Sequence, residues 1–209
     1  MNTKNILIGI SAIFGTFIIL FFAYKLTNTP VVSDFLEVNV IRKTDNVKWK
    51  ADSKNILVEY SDLQCPACKA FNSFLIDLEK TATPNAALVF RHFPLYQIHP
   101  NAFSASYAAE AAGLQNKFWE MESALYDKQL EWSGLPNPKE YFVKLAKSLE
   151  LDVEKFTKDM DSQAVKDKVQ ADVSEAEKIG INSTPTFILN GKKVEVATMD
   201  EFKQLILSL

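Results

Sequence analysis

The chain contains two cysteines, Cys65 and Cys68, which are separated by two residues. Thiols at this spacing bind a metal, form an inert structural disulfide or act as a redox-active dithiol. A zinc site needs two further ligands, and His92 and His99 follow at spacings that match no common zinc pattern. A disulfide that closes so short a loop stabilises a fold little. The residues therefore favour a reactive dithiol, and we expect no metal or other cofactor.

The two cysteines lie between a predicted strand and a predicted helix. The nearly continuous apolar run at residues 56–60 is typical of a central strand buried on both faces. Pro66 suits the first position of a helix because that position needs no N–H donor. Cys65 is then the N-cap, where the positive end of the helix dipole stabilises a thiolate. Cys68 falls on the apolar face, so we expect Cys65 to be the exposed nucleophile and Cys68 the sheltered resolving thiol.

The elements that follow extend this unit into an α/β fold. A second predicted strand covers residues 87–93, which completes a βαβ unit. A short edge strand is predicted at residues 47–50. From about residue 100 to 180 every apolar stripe has helical spacing, so this stretch is predicted to be a helical insertion.

The last part of the chain predicts a β-hairpin followed by a helix. Strands are expected at residues 186–189 and 194–196, joined by an Asn-Gly turn at 190–191. The predicted order is therefore βαβ, helical insertion, then ββα. We expect one domain over residues 47–209, preceded by a linker at residues 26–46.

The C-P-x-C motif after a strand, the helical insertion and the Ser-Thr-Pro segment at residues 183–185 together resemble the DsbA-like thiol:disulfide oxidoreductases of the thioredoxin superfamily. Residues 90–95 and 117–121 are similar to stretches in the membrane-anchored or secreted branch of that family. The resemblance covers about residues 45–209. It implies a thioredoxin fold (βαβ…ββα) with an inserted helical subdomain.

The resemblance also assigns roles to single residues. It implies that Pro185 is a cis-proline packed against the dithiol and that Thr184 offers its backbone to a substrate strand. It implies that Glu59 is a buried acid that relays the proton of Cys68. The residues alone leave a second interpretation open, in which Glu59 lies at an edge and is solvated. His92 and His99 are interpreted as structural residues.

The dipeptide between the cysteines, Pro66-Ala67, is the redox motif and departs from the strongest oxidant of that family. That oxidant has a histidine at the position of Ala67, and the positive imidazole helps to stabilise the reduced thiolate. We therefore expect a potential between the extremes of the superfamily, which run from about −270 to about −120 mV.

The N-terminal segment is the most apolar part of the chain. Residues 6–24 carry no charge and would span roughly 28 Å as a helix, which is close to the thickness of a bilayer core. No cleavage site of the A-x-A type follows. We expect residues 1–25 to be an uncleaved signal anchor, with a cleaved signal peptide or a buried core helix as the alternatives. The catalytic domain is then extracytoplasmic on a single-pass protein of the cell membrane.

The function predicted from these features is the oxidation of substrate dithiols to disulfides outside the cytoplasm. The expected partners are unfolded or reduced secreted proteins and a membrane redox partner that reoxidises the dithiol. A disulfide reductase or isomerase that uses the same site is one alternative, and a chaperone-like binding module is another. The net charge of −3 and the absence of a Lys/Arg run exclude a nucleic-acid footprint. No feature marks a dimerisation domain, so a monomer is expected.

Overall fold

The computed structural model describes residues 15–18, 20 and 35–209. Residues 15–18 and 20 are helical and belong to a separate unit from residues 35–209. Most of the predicted membrane segment, residues 6–24, lies outside the described residues. Within the part of the chain that is described, no helix is long and apolar enough to cross a bilayer.

A five-stranded mixed sheet forms the centre of the larger unit. Its strands, in chain order, are β1 Asn46–Trp49, β2 Ile56–Ser61, β3 Ala87–His92, β4 Thr186–Leu189 and β5 Lys192–Lys193. The spatial order is β1-β3-β2-β4-β5. β2 is parallel to β3 and antiparallel to β4, while β1 is antiparallel to β3. The apolar run of β2 therefore occupies the middle of the sheet, where both faces are covered.

Eight helices of the described residues surround this sheet. They are α1 Pro66–Thr81, α2 Ala102–Gly113, α3 Phe118–Asp127, α4 Gln129–Trp132, α5 Lys139–Ser148, α6 Val153–Asp161, α7 Gln163–Lys178 and α8 Met199–Leu207. Helices α2 to α7 lie between β3 and β4, which confirms the predicted helical insertion. The fold is the expected βαβ unit, insertion and ββα unit.

The C-terminal hairpin differs from the prediction in one detail. The second strand begins directly after the turn, at Lys192–Lys193, and not at residues 194–196. Asn190 and Gly191 both have positive φ angles, 50° and 77°. A two-residue turn of this kind matches the twist of the flanking strands, so pairing resumes at the next residue.

Successive side chains of β2 point to opposite faces of the sheet and pack into two separate parts of the core. Leu57 packs with Leu75 of α1 and Phe202 of α8. Val58 and Tyr60 face the other way, toward α7. Since side chains alternate along a strand, Glu59 shares the face of Leu57. This alternation directs the Glu59 carboxyl into the layer that also holds α1.

Residues 35–45, which were predicted to be the end of a linker, pack against the domain. Val38 is fully buried, and its carbonyl accepts a hydrogen bond of 3.1 Å from Arg91 on β3. Asp45 pairs with the same guanidinium at 3.0 Å, and both side chains are fully buried. A buried guanidinium needs acceptors on every N–H group, and this segment supplies them. The folded domain therefore begins before residue 47.

Candidate active site

The dithiol lies at the start of α1, as the sequence predicts. Cys65 is the N-cap residue with an extended backbone, and Pro66 occupies the first helical position. Both cysteines are free thiols in this structure. Pro66 and Ala67 are exposed to solvent. The motif thus presents its dipeptide at the surface and its sulfur atoms inward.

Cys65 is less accessible than expected, since only 8% of the residue is exposed. Gln129 of α4 donates a hydrogen bond of 3.1 Å to its carbonyl. On the other side the Cys65 thiol donates to the carbonyl of Thr184 at 3.7 Å. The expectation of an exposed nucleophile was wrong, because the insertion packs against the Cys65 backbone and the loop before β4 approaches its sulfur.

The two thiols have opposite acidities. A hydrogen bond from the Cys68 thiol, together with the N–H groups of Cys68 and Ala67 at the helix N-terminus, lowers the pKa of Cys65 to about 5. Burial, followed by the hydrogen bond to the Cys65 sulfur, raises the pKa of Cys68 well above its ordinary value. At neutral pH the reduced site therefore holds a Cys65 thiolate and a Cys68 thiol.

The loop before the motif supports the buried sulfur. Cys68 is fully buried, and the backbone N–H of Asp62 donates to its sulfur at 3.5 Å. The Asp62 carboxylate is itself held by the N–H groups of Gln64 and Leu95 and by Nδ1 of His99 at 2.7 Å. His99 therefore positions the loop that carries the dithiol.

The loop before β4 covers the dithiol from the opposite side. The Thr184–Pro185 peptide bond is cis, as the family resemblance implies. The carbonyl oxygen of Thr184 lies 3.7 Å from the Cys65 sulfur. These contacts bring Cys65, Cys68, Thr184 and Pro185 together at one end of the sheet.

Glu59 lies on β2, close to this end of the sheet, and is 2% exposed. Its position on the central strand excludes the solvated-edge interpretation. Burial raises the pKa of Glu59 to about 7, although a hydrogen bond from Ser61 and the charge of Lys48 oppose the rise. Its Oε1 atom has no hydrogen-bond partner among the described residues. A carboxyl group with this pKa gains or loses a proton close to neutral pH.

Sequence reasoning missed two buried polar residues of the insertion, Glu122 and Tyr126 on α3. Their exposed fractions are 2% and 1%. The Tyr126 hydroxyl lies 3.0 Å from the Ser61 hydroxyl on β2. A signal was present, because Glu122 lies between Met121 and Leu125 on the apolar stripe of its helix. A charged residue next to such a stripe, one helical turn before a tyrosine, is a candidate for a buried polar contact.

The comparison with known families identifies this architecture. Residues 43–207 match the family model described as Thioredoxin.

The chain belongs to this thioredoxin family.

Among solved structures, BdbD from Bacillus subtilis in its oxidised form superposes with a TM-score of 0.69 at 25% identity. The match covers 79% of this chain and 92% of BdbD. Wolbachia pipientis alpha-DsbA1 superposes with a TM-score of 0.72 at 20% identity, over 84% of this chain and 95% of that chain. The thioredoxin-family chain thus has the fold of DsbA-like thiol-disulfide oxidoreductases.

Curated relatives share the sequence over most of this chain but not over their own length. The Na(+)/H(+) antiporter NhaA 1 of Mycolicibacterium vanbaalenii is 38% identical over 151 residues, which are 70% of this chain and 23% of the antiporter. The NhaA of Herminiimonas arsenicoxydans is 32% identical over 170 residues. The chain therefore spans about a quarter of the length of the curated relatives it matches.

Proposed function

We propose that this protein is a dithiol oxidase that transfers the Cys65–Cys68 disulfide to reduced substrate proteins. The feature that carries the proposal is the placement of the two thiols at the start of α1, where Cys65 is at the helix N-terminus and Cys68 is fully buried. A disulfide is a stronger oxidant when its reduced form is stabilised, and a stabilised Cys65 thiolate has this effect. The likeness to BdbD, at 25% identity, supports the same class of chemistry.

The reaction begins when a substrate thiolate attacks the Cys65 sulfur. The bond between the two cysteines breaks, and its electron pair leaves on the Cys68 sulfur, which takes a proton. A second substrate thiolate then attacks the mixed disulfide, and the Cys65 thiolate departs. The substrate dithiol has lost two electrons and two protons, and the enzyme carries a Cys65 thiolate and a Cys68 thiol.

Glu59 is the proposed source of the proton that Cys68 receives. Its carboxyl is buried, shares the strand face of Ser61, and has a pKa of about 7. Glu59 lies two residues before Ser61 on the same face of β2, and the next residue, Asp62, donates its backbone N–H to the Cys68 sulfur at 3.5 Å, so both groups lie at the same end of β2. A general acid is most effective when its pKa lies near the working pH.

The substrates we propose are unfolded, reduced polypeptides. A groove of about 390 Å³ begins beside the loop before β4 and is lined by apolar side chains, among them Leu95, Tyr96, Ile98 and Ile181. Tyr96 and Ile98 are 57% and 69% exposed. The groove reaches Asn182, two residues before the Thr184 carbonyl that lies 3.7 Å from the Cys65 sulfur, and its exposed apolar side chains suit the extended, apolar segments of an unfolded chain.

The location we propose is extracytoplasmic, with residues 1–25 as a membrane anchor. The apolar sequence at residues 6–24 supports the anchor. Net disulfide formation requires an oxidising compartment, which supports the location. A membrane partner that accepts two electrons and two protons restores the disulfide after each cycle.

The experiment that tests the oxidase is single-turnover oxidation of a reduced, unfolded protein by the oxidised full chain. Disulfides should appear in the substrate as thiols appear in the enzyme, in equal amounts. Cys65→Ser should abolish the transfer. Cys68→Ser should also transfer no disulfide, but its Cys65 thiolate should form a stable mixed disulfide when the substrate protein is supplied in its disulfide form. An equilibrium with glutathione fixes the potential, and a value at the thioredoxin end of the range would favour a reductase.

A further inference from the structure

Two contacts fix how the insertion helix α3 lies over the sheet. In its first turn, Nε1 of Trp119 donates to the carbonyl of Val47 on β1 at 3.3 Å. In its last turn, the Tyr126 hydroxyl lies 3.0 Å from the Ser61 hydroxyl on β2. The helix therefore crosses the face of the sheet that carries Ser61.

This crossing places Glu122 beside Glu59. Glu122 is one helical turn before Tyr126, a step of about 6 Å on the same side of α3. Glu59 is two residues before Ser61, a step of about 7 Å on the same face of β2. Val47 and Val58 lie at the same level of the sheet, because both pair with Val89, so α3 runs diagonally from the level of Val58 to the level of Ser61. Glu122 lies between these two contacts and therefore at the level of Glu59, whose charge acts on it.

Charged groups from three neighbouring elements act on Glu122. Burial raises the pKa of Glu122 to about 8, the charge of Lys48 on β1 opposes the rise, and the carboxylates of Glu59 on β2 and Glu79 on α1 add to it. On its own helix, the Ser123 hydroxyl donates to Oε2 of Glu122 at 3.3 Å. The charge of Lys48 thus acts on both buried acids, Glu59 and Glu122.

The two acids connect a surface hollow to the buried thiol. Outside the pair, a shallow hollow of about 740 Å³ is lined by residues that include Lys48, Glu79, Trp119 and Ser123, and the Ser123 hydroxyl donates to the Glu122 carboxyl. On the inner side of the pair, Oε1 of Glu59 has no hydrogen-bond partner among the residues the structure describes. A buried acceptor without a donor is satisfied by a proton on a neighbouring acid or by water.

We propose that Glu122 relays protons between solvent in this hollow and Glu59, and through Glu59 to Cys68. When the disulfide is reduced, the Cys68 thiolate takes the proton of Glu59, and the Glu59 carboxylate takes the proton of Glu122. Glu122 is then reprotonated by water. When the site is reoxidised, the same proton leaves Cys68 by the reverse transfers.

This inference rests on the proposed function, because it needs Glu59 to protonate Cys68. The test uses the oxidised full chain and measures how fast a reduced dithiol peptide cleaves its disulfide across the neutral pH range. Four variants are compared: Glu59→Gln, Glu122→Gln, Glu122→Asp and the matched control Glu120→Gln, which changes an exposed carboxylate of the same helix. Infrared titration of protonated carboxyl groups and urea unfolding are recorded for each.

Glu122→Gln should slow the reaction about tenfold near neutral pH, less than the loss of a direct general acid because water partly replaces the relay. It should also remove one of two buried carboxyl bands and leave the alkylation rate of Cys65 unchanged. Glu122→Asp should recover part of the rate, and Glu120→Gln should match the parent chain.

The proposal is overturned if Glu122→Gln reacts like Glu120→Gln while Glu59→Gln is slow, since Glu59 then exchanges its proton by another route and the oxidase stands. It is also overturned if Glu122→Gln reacts slowly at all pH values, has a lower free energy of unfolding in urea, and Glu122→Asp recovers none of the rate. If the parent chain transfers no disulfide at all, the proposed function itself has failed.

Discussion

The substitution Glu59→Gln should remove the loss of stability that Glu59 causes as the pH rises toward neutrality. Burial raises the pKa of Glu59 from 4.5 to about 7. Between these values the folded protein keeps a proton that the unfolded chain releases, so stability falls as the pH rises. Each pKa unit is worth about 1.4 kcal/mol, so the loss amounts to about 3 kcal/mol.

Glutamine has nearly the same shape and never ionises, so the variant should escape this loss. Relative to the parent chain, its free energy of unfolding should rise by about 3 kcal/mol between about pH 4.5 and about pH 8. The measurement is urea unfolding of the reduced protein at several pH values, followed by tryptophan fluorescence. Titrating groups that do not interact with Glu59 are common to both proteins and cancel in the difference, whereas Glu122 contributes to it because the Glu59 charge raises the pKa of Glu122.

Glu120→Gln is the control, because Glu120 is an exposed carboxylate paired with Lys117. Its curve should run parallel to that of the parent chain. If the curve of Glu59→Gln is also parallel, then Glu59 gains no proton on folding in this range. Its role as the acid that protonates Cys68 would then be refuted.

Three further predictions concern the dithiol and the buried ion pair. In the native reduced protein at mildly acidic pH, brief alkylation followed by mass spectrometry should label Cys65 and not Cys68, since the pKa of Cys65 is lower and Cys68 is fully buried; labelling of Cys68 would reverse the assignment. Ala67→His should lower the Cys65 pKa and raise the potential by tens of millivolts at most, measured by thiolate absorbance and in glutathione buffers; a lower pKa with an unchanged potential would contradict the electrostatic argument. Arg91→Met should destabilise the fold by about 3–5 kcal/mol in urea unfolding, because it removes a buried cation that pairs with both Asp45 and Glu175 and leaves the buried Asp45 with Arg42 alone; a change below about 1 kcal/mol would show that the pair contributes little.

The dithiol motif was readable from the sequence because its signals are local. Pro66 begins the helix, Cys65 precedes it as the N-cap, and Cys68 lies one turn further on the apolar face. These relations depend on helix geometry over a few residues and on no distant contact. The Asn-Gly turn at residues 190–191 and the helical insertion were predicted for the same reason.

Residues 35–45 show where local signals were insufficient. The polar composition of residues 26–46 as a whole predicts a linker, yet Val38 and Asp45 are buried against Arg91. The buried guanidinium on β3 requires acceptors, and no pattern within residues 35–45 reveals that requirement. Only the pairing of β1 with β3 brings the two segments together.

Some chemical properties of the site follow from neighbouring residues in the sequence, and others follow only from tertiary packing. The sequence by itself determined that a thiolate forms at the start of α1, since the helix N-terminus and the two cysteines are neighbours in the chain. Only the tertiary structure decided that Cys65 is covered by Thr184 and that Glu59 shares its buried layer with Glu122. The acidity of a buried carboxyl depends on which distant side chains exclude water from it, and the packing of α3 on the sheet determines that environment.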